Sequence, residues 1–175
     1  AVFQITDATP QQLAALCDKS LLIHEIEADR YRLHPVIQAY AAKKLPTDSP
    51  ALQKHAHYYL DLLADHTEPL QKNTPQHAMA ILEPDIENLR FAWQTGLAER
   101  QASRLYAALT SFSIYHQLRG LAHEGEQIMH RTVSASATWG ENGIPLTVHA
   151  GLERARFQNR QGQYRPAIQT LKIAL

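Results

Sequence analysis

The segment Arg30-Tyr31-Arg32-Leu33-His34-Pro35-Val36-Ile37-Gln38-Ala39-Tyr40-Ala41-Ala42-Lys43-Lys44-Leu45 constrains the fold most, because its hydrophobic period changes abruptly. Tyr31 and Leu33 alternate with Arg30, Arg32 and His34, the two-residue period of a half-buried strand. Pro35 then suits a first helical position, where a missing N–H costs nothing. Apolar residues recur at Val36, Ile37, Tyr40, Ala41 and Leu45, and predict one buried helix face. Lys43 and Lys44 complement the C-terminal dipole, and Pro46 ends the helix. His34 is thereby expected to end a strand directly before a helix N-terminus, a place that attracts anions.

Ala15-Leu16-Cys17-Asp18-Lys19-Ser20-Leu21-Leu22, a hairpin, then Tyr31-Arg32-Leu33-His34 and Gln38-Ala39-Tyr40-Ala41 together resemble the winged-helix domain of STAND signalling ATPases, the class that includes NB-ARC proteins and many bacterial regulators. In that family a Met/Leu-His-Asp/Glu step closes the winged helix, and its histidine reads the phosphate of the bound nucleotide. Here the step is Leu33-His34-Pro35, so leucine and histidine match while proline replaces the acidic residue. The resemblance implies that His34 senses ADP or ATP held by an ATPase module of the same protein. Read from the residues alone, His34 is an ordinary strand-end histidine bonded to backbone.

Formal net charge is +0, with 45% hydrophobic and 19% charged residues, which excludes a polyanion-binding surface protein and a disordered tail. The single cysteine, Cys17, excludes an internal disulfide and favours a reducing, cytoplasmic setting. No signal peptide opens the chain, and no apolar run approaches the roughly 18 residues of a membrane span. A non-Met first residue and a helix-like end, Leu171-Lys172-Ile173-Ala174-Leu175, lead us to expect a piece of a longer protein.

Thr9-Pro10-Gln11-Gln12 starts a helix, with Thr9 as N-cap and Gln12 completing a capping box. That helix is expected to run to Asp18 and bury Leu13, Leu16 and Cys17. Strands are expected at 21–27 and 30–34 around Ala28-Asp29. Pro46-Thr47-Asp48-Ser49-Pro50 reads as a linker, and Leu52, Ala56, Tyr59, Leu60 and Leu63 as an amphipathic helix. Pro69 and Pro75 are expected to bound a loop, with Thr74-Pro75 opening a short helix to Leu82. Pro84-Asp85 opens a longer one with the stripe Ile86, Leu89, Trp93 and Leu97. The string from Leu82 to Arg90 resembles the same regulators just ahead of their helical repeats.

Beyond residue 100 the pattern becomes helix pairs. Leu105, Ala108, Leu109 and Phe112 line one helix, which ends at Gly120; Leu121, Gly125, Ile128, Met129 and Thr132 line the next. A second pair turns at Gly162. There Gly162, Tyr164, Ala167, Ile168, Leu171, Ala174 and Leu175 follow the second half of a tetratricopeptide (TPR) repeat. In that pattern Ala167 is the small close-approach residue, and Tyr164 and Leu171 fill the groove between helices. Gly125 and Met129 hold the corresponding small and groove positions after Gly120. The Gly120-to-Gly162 interval exceeds the roughly 34 residues of a TPR, and the loop 138–145 can hold the excess. Arg154 and Gln158 stand where that repeat is normally apolar.

No phosphate-cradling Gly-x-x-x-x-Gly-Lys-Ser/Thr motif occurs, nor Gly-x-Ser-x-Gly, Cys-x-x-Cys or His-Glu-x-x-His, so no catalytic residue and no metal site is assigned. His55 and His57 point to different helix faces, and Gly120 separates His116 from His123 and His130. Trp93 and Trp139 are expected to pack between helices. The candidate recognition helix, Pro10 to Asp18, has no Lys or Arg, which disfavours DNA contact.

The expected fold is mainly α: a partial winged helix with one β-hairpin (1–45), a helical connector (46–100), and an α-α superhelix of TPR-like pairs (101–175). The expected role is non-catalytic. By the resemblance, the repeats sense a protein or small-molecule inducer, and the winged helix couples this to an ADP- or ATP-bound module. The alternative is a DNA-binding winged-helix transcription-regulator fragment.

Overall fold

The computed structural model describes residues 1–46, 49–72 and 75–174. The chain is mainly helical, with one two-stranded antiparallel sheet. It divides into two compact units, Ala1–His55 and Ala56–Leu175, and the division falls inside one helix, Pro50–Asp65.

In the first unit, α1 (Val2–Ile5) precedes α2 (Pro10–Asp18). The start of α2 follows from its sequence. Thr9 Oγ1 accepts from Gln12 N–H at 3.3 Å, and Gln12 Oε1 accepts from Thr9 N–H at 2.8 Å, a complete capping box. The hairpin joins β1 (Leu22–Glu25) to β2 (Arg30–Leu33), pairing Leu22 with Leu33 and His24 with Tyr31. The strands are shorter than expected because Ile26–Ala28 coils into a 3₁₀ turn, closed by Asp29 in the left-handed region at φ 48°. Across the strands the rings of His24 and Tyr31 stack at 4.5 Å, and Arg32 Nε meets Glu25 Oε1 at 3.0 Å.

Pro35 does open α3 (Pro35–Lys44), and Lys43 and Lys44 lie in its last turn. The expected burial of its apolar stripe does not occur: Val36 is 68% exposed, Tyr40 is 63% exposed, and no residue of α3 is buried. Leu16 is likewise exposed, and Leu13 is the one buried side chain described in this unit. Periodicity marks what a helix can bury, whereas burial needs a facing surface.

The second unit carries the core. It contains most of α4 (Pro50–Asp65), then α5 (Thr67–Gln71), α6 (Gln76–Leu82), α7 (Ile86–Ala98), α8 (Ala102–Leu118), α9 (Ala122–Ser136), α10 (Ile144–Arg160) and α11 (Tyr164–Ala174). Leu60, Leu63, Leu89, Leu105, Leu109, Phe112, Met129 and Phe157 are fully buried. The loop expected between Pro69 and Pro75 is partly helical, since Pro69 sits in the first turn of α5, where proline is tolerated. Thr74, expected to start α6, and Thr47 and Asp48 of the linker lie outside the described residues. The connector and repeat segments share one core. A Cβ added at Gly96 of α7 would meet Leu60 Cδ1 at 3.0 Å and Leu105 Cδ2 at 3.2 Å.

Helices α9 and α10 run antiparallel in close contact. Gly125, near the start of α9, lies under the ring of Phe157, near the end of α10; a Cβ there would sit 2.4 Å from Phe157 Cζ. At the other end, a Cβ at Gly143 would lie 2.0 Å from the Ser136 carbonyl oxygen. Helix α10 also touches α8 and α11.

Four helices end in the same way. After α8, Gly120 takes φ 70°, Leu121 N–H reaches His116 O at 2.8 Å, and Gly120 N–H reaches Gln117 O at 3.2 Å. Gly162 closes α10 with the matching pair of bonds at φ 74°. Ser20 after α2 and Arg100 after α7 do the same at φ 56°, without glycine's steric freedom. Nothing lies within 4 Å of a Cβ added at Gly120, so Gly120→Ala meets only the left-handed penalty. We expect it to lower the unfolding free energy by about 1–2 kcal/mol in urea titrations. Arg100→Gly relieves the same penalty, offset by glycine's unfolded-chain entropy, and should raise stability by about 0.5–1 kcal/mol.

Candidate functional site

His34 is the N-cap of α3 rather than the last strand residue. Its Nδ1 accepts from Val36 N–H at 3.3 Å. With Nδ1 accepting, the neutral ring carries its proton on Nε2, which is left as a donor. The anion-attracting helix end is thus partly capped by the ring itself: Pro35 has no N–H, and that of Val36 is bonded to His34. The residue is exposed.

A separate concavity lies in the second unit, where α7, α8 and α9 meet. It has a volume of about 140 Å³ and is lined by Trp93, Leu97, Phe112, Ile128 and Arg131, with Arg90, Gln94 and Glu124 completing the wall. Trp93 is held in place: its indole N–H donates to Thr132 Oγ1 at 3.0 Å, and its ring packs 4.9 Å from that of Phe112. The stripe Leu89-Trp93-Leu97 places these side chains one above another on α7, as helical spacing requires.

The polar wall is one ionic chain across three helices. Arg90 of α7 places Nε 2.5 Å from Glu124 Oε1 and Nη2 2.7 Å from Oε2 of α9, and its Nη1 meets Glu87 at 2.5 Å. Behind Glu124 lies His116 of α8, fully buried. Its Nδ1 lies 2.8 Å from the Phe112 carbonyl oxygen, which can only accept, so Nδ1 carries the proton. The other nitrogen, Nε2, makes no hydrogen bond and lies 3.5 Å from Glu124 Oε1.

Burial pushes the His116 imidazole below its usual value; the Phe112 carbonyl and Glu124 oppose this only in part. Burial also works to raise Glu124, but the Arg90 hydrogen bond and charges, with help from His116, hold that carboxyl below its usual value. Two lone-pair atoms therefore face each other at neutral pH, and a proton entering between them would bond both.

A buried carboxylate elsewhere in the unit, Glu153 of α10, is fully partnered. Ser113 donates to it, Arg156 pairs with it, and Gln117 Nε2 reaches it at 3.4 Å. Arg160 in turn donates to Gln117 Oε1 at 3.0 Å. Such a network secures α8 to α10 and leaves no reactive group exposed.

The residues singled out for helix packing fare differently. Gly125, Met129 and Ala167 are buried, and Gly120 and Gly162 make the turns. Leu171 is half-buried, whereas Tyr164 is 64% exposed and fills no groove. Ala174 closes α11 with its side chain outside the described residues, as is all of Leu175. Arg90, Glu124 and Arg131 were not singled out by the sequence, and His116 entered it only as one of a seven-residue series. A hydrophobic stripe interrupted by Arg90 and Glu124 was the available signal. Among the described residues no group of three His, Cys, Asp or Glu side chains is placed to hold a metal ion, and no helix is long and apolar enough to cross a membrane. Comparison with protein-family models, with curated proteins and with solved structures finds no match to this chain.

The buried imidazole makes stability pH-dependent. The folded ring titrates below the unfolded value of 6.5, so between the two the unfolded chain binds more protons. Stability is full above about 6.5 and falls as pH drops through that window. Glu124 acts with the same sign below its unfolded value of 4.5. His149, also lowered by burial, adds to the upper window. Denaturant titrations at pH 7.5 and 5.5 should show a loss on acidification, and His116→Leu should reduce that loss whatever its effect on absolute stability.

Proposed function

We propose that this chain is a non-catalytic coupling segment of a nucleotide-dependent signalling switch of the STAND/NB-ARC type. The hairpin unit acts as a winged-helix element that reads the nucleotide state of an ATPase module in the same protein. The second unit acts as a TPR-like array that senses a protein or small-molecule inducer. ADP or ATP belongs to the larger cytoplasmic protein, and this chain supplies only one wall of that site.

The observation that carries the reading is His34. It stands at the strand-to-helix step with Nδ1 tied to Val36 N–H and Nε2–H left as a donor suited to a phosphate oxygen. The exposed Val36 and Tyr40 beside it support the same reading, since a module that docks needs an apolar face to cover. Replacement of the family's acidic residue by Pro35 removes a carboxylate and an N–H while keeping the helix start intact. A few kcal/mol between two packings is enough for such a switch.

In the full protein, His34→Ala should speed ADP release by about tenfold and raise basal output, because a charge-assisted contact is worth about 1.5–3 kcal/mol. Side-by-side ADP off-rates for a folded variant and the wild type decide this, and equal rates would reduce His34 to a helix cap.

DNA contact is the competing use of such a hairpin unit, but α2 carries no Lys or Arg. The chain should therefore show no duplex affinity tighter than about 10 micromolar near physiological salt. Nanomolar, steeply salt-dependent retention of a duplex would instead favour a DNA-binding regulator.

A further inference from the structure

We propose that the cup between α7, α8 and α9 binds a small carboxylate carrying one apolar ring or branched chain, with the apolar part against Leu97 and Ile128, over the buried rings of Trp93 and Phe112, and the carboxylate on Arg131. This rests on the sensing role proposed above and assigns a chemical class to its ligand.

Size comes first. The cup's 140 Å³ is close to the roughly 150 Å³ known to hold a single benzene ring. Leu97 and Ile128 supply an aliphatic wall with the buried rings of Trp93 and Phe112 behind it, and burying one ring against that wall is the favourable term.

Charge then selects the polar end. Arg90 is committed: Glu124 occupies its Nε and Nη2, and Glu87 its Nη1. Glu124 accepts that fork at both oxygens, and the charged lining residues Arg90, Arg131 and Glu124 sum to one positive charge, so an incoming amine is disfavoured there. Arg131 differs. Its Nε donates to Gln127 O at 3.3 Å on its own helix, and no carboxylate among the described residues pairs with it. An exposed guanidinium at the edge of an apolar cup matches a carboxylate, which accepts two parallel N–H bonds from such a fork.

The ligand would also act on the helices that form the cup. Phe112 and Trp93 touch each other across α8 and α7, and Glu124 joins α7 to α9 through Arg90. Occupation therefore bears on a place where all three helices are tied together, which is what a sensing surface requires.

Phenylacetate titrated into the full 175-residue chain tests this, read by the indole N–H resonances. The chain has two tryptophans, and Trp139→Phe assigns the Trp93 signal. We expect a saturable shift of Trp93 with half-saturation on the order of 0.1–1 mM, as befits a ligand of about ten heavy atoms. Arg131→Gln, an exposed change that leaves the fold intact by its unchanged thermal midpoint, should weaken binding at least tenfold. Phenylacetamide, which keeps the ring and loses the charge, should be weaker by a similar factor, and benzylamine should not bind. No Trp93 shift up to about 10 mM phenylacetate overturns the proposal, as does equal binding by phenylacetamide, by benzylamine or by the Arg131→Gln chain. The readout involves neither nucleotide nor His34, so its failure leaves the ADP off-rate result standing, and the reverse also holds.

Discussion

The close approach of α9 to α10 is the constraint on which the second unit depends. Two glycines make it possible, Gly125 beneath the Phe157 ring and Gly143 against the Ser136 carbonyl, one near each end of the contact. Even one methyl group at either point would overlap neighbouring atoms. With the helices this close, hydroxyls can bridge them: Ser136 Oγ and Thr147 Oγ1 lie 2.7 Å apart, so that one donates to the other while the second donates to a carbonyl of its own segment. Helix α10, so placed, presents Glu153 to α8, where Ser113 and Gln117 satisfy it. The cup on the other side of α9 then takes its shape from where Ile128 and Glu124 come to lie.

Buried polar groups in this unit fall into two kinds. Thr132, Ser136, Ser113 and Glu153 all have partners, consistent with the cost of leaving such groups unpaired. His116 Nε2 does not, and it lies behind the cup walled by the Arg90–Glu124 ionic chain. A proton or a shift of Glu124 is the natural way to satisfy it. The pairing of an under-satisfied imidazole with an apolar cup and an uncommitted arginine sets this region apart from the rest of the helical core.

The hairpin unit works on different terms. Its order comes from local bonds: the capping box at Thr9, the stack of His24 on Tyr31, and the His34 cap on α3. Only Leu13 is buried among its described residues. Local hydrogen bonds set conformation, but burial of apolar area supplies most of the stability of a domain. An element with exposed Ile26, Val36 and Tyr40 gains from a surface that covers them, which is why the nucleotide-switch reading treats this unit as a docking element.

What the sequence determined by itself was everything set by neighbours along the chain. Thr9 and Gln12 cap α2, Pro35 opens α3, Gly120 and Gly162 end their helices, and Leu105, Leu109 and Phe112 face the core, because each depends on spacing within a turn or two. The small position at Gly125 was legible too, through its place in a repeating pattern. The left-handed ends at Ser20 and Arg100 were not, since no glycine advertises them and the flanking helix ends impose the conformation. Periodicity also left α3 and Tyr164 unresolved: the apolar positions Val36 and Tyr40 and the Tyr164 ring are exposed among the described residues. The cup was invisible for a related reason. Arg90 meets Glu124 across 34 positions, and His116 comes from a third helix. Which charged side chains meet is decided by how helix faces pack, and that is a property of the tertiary structure alone.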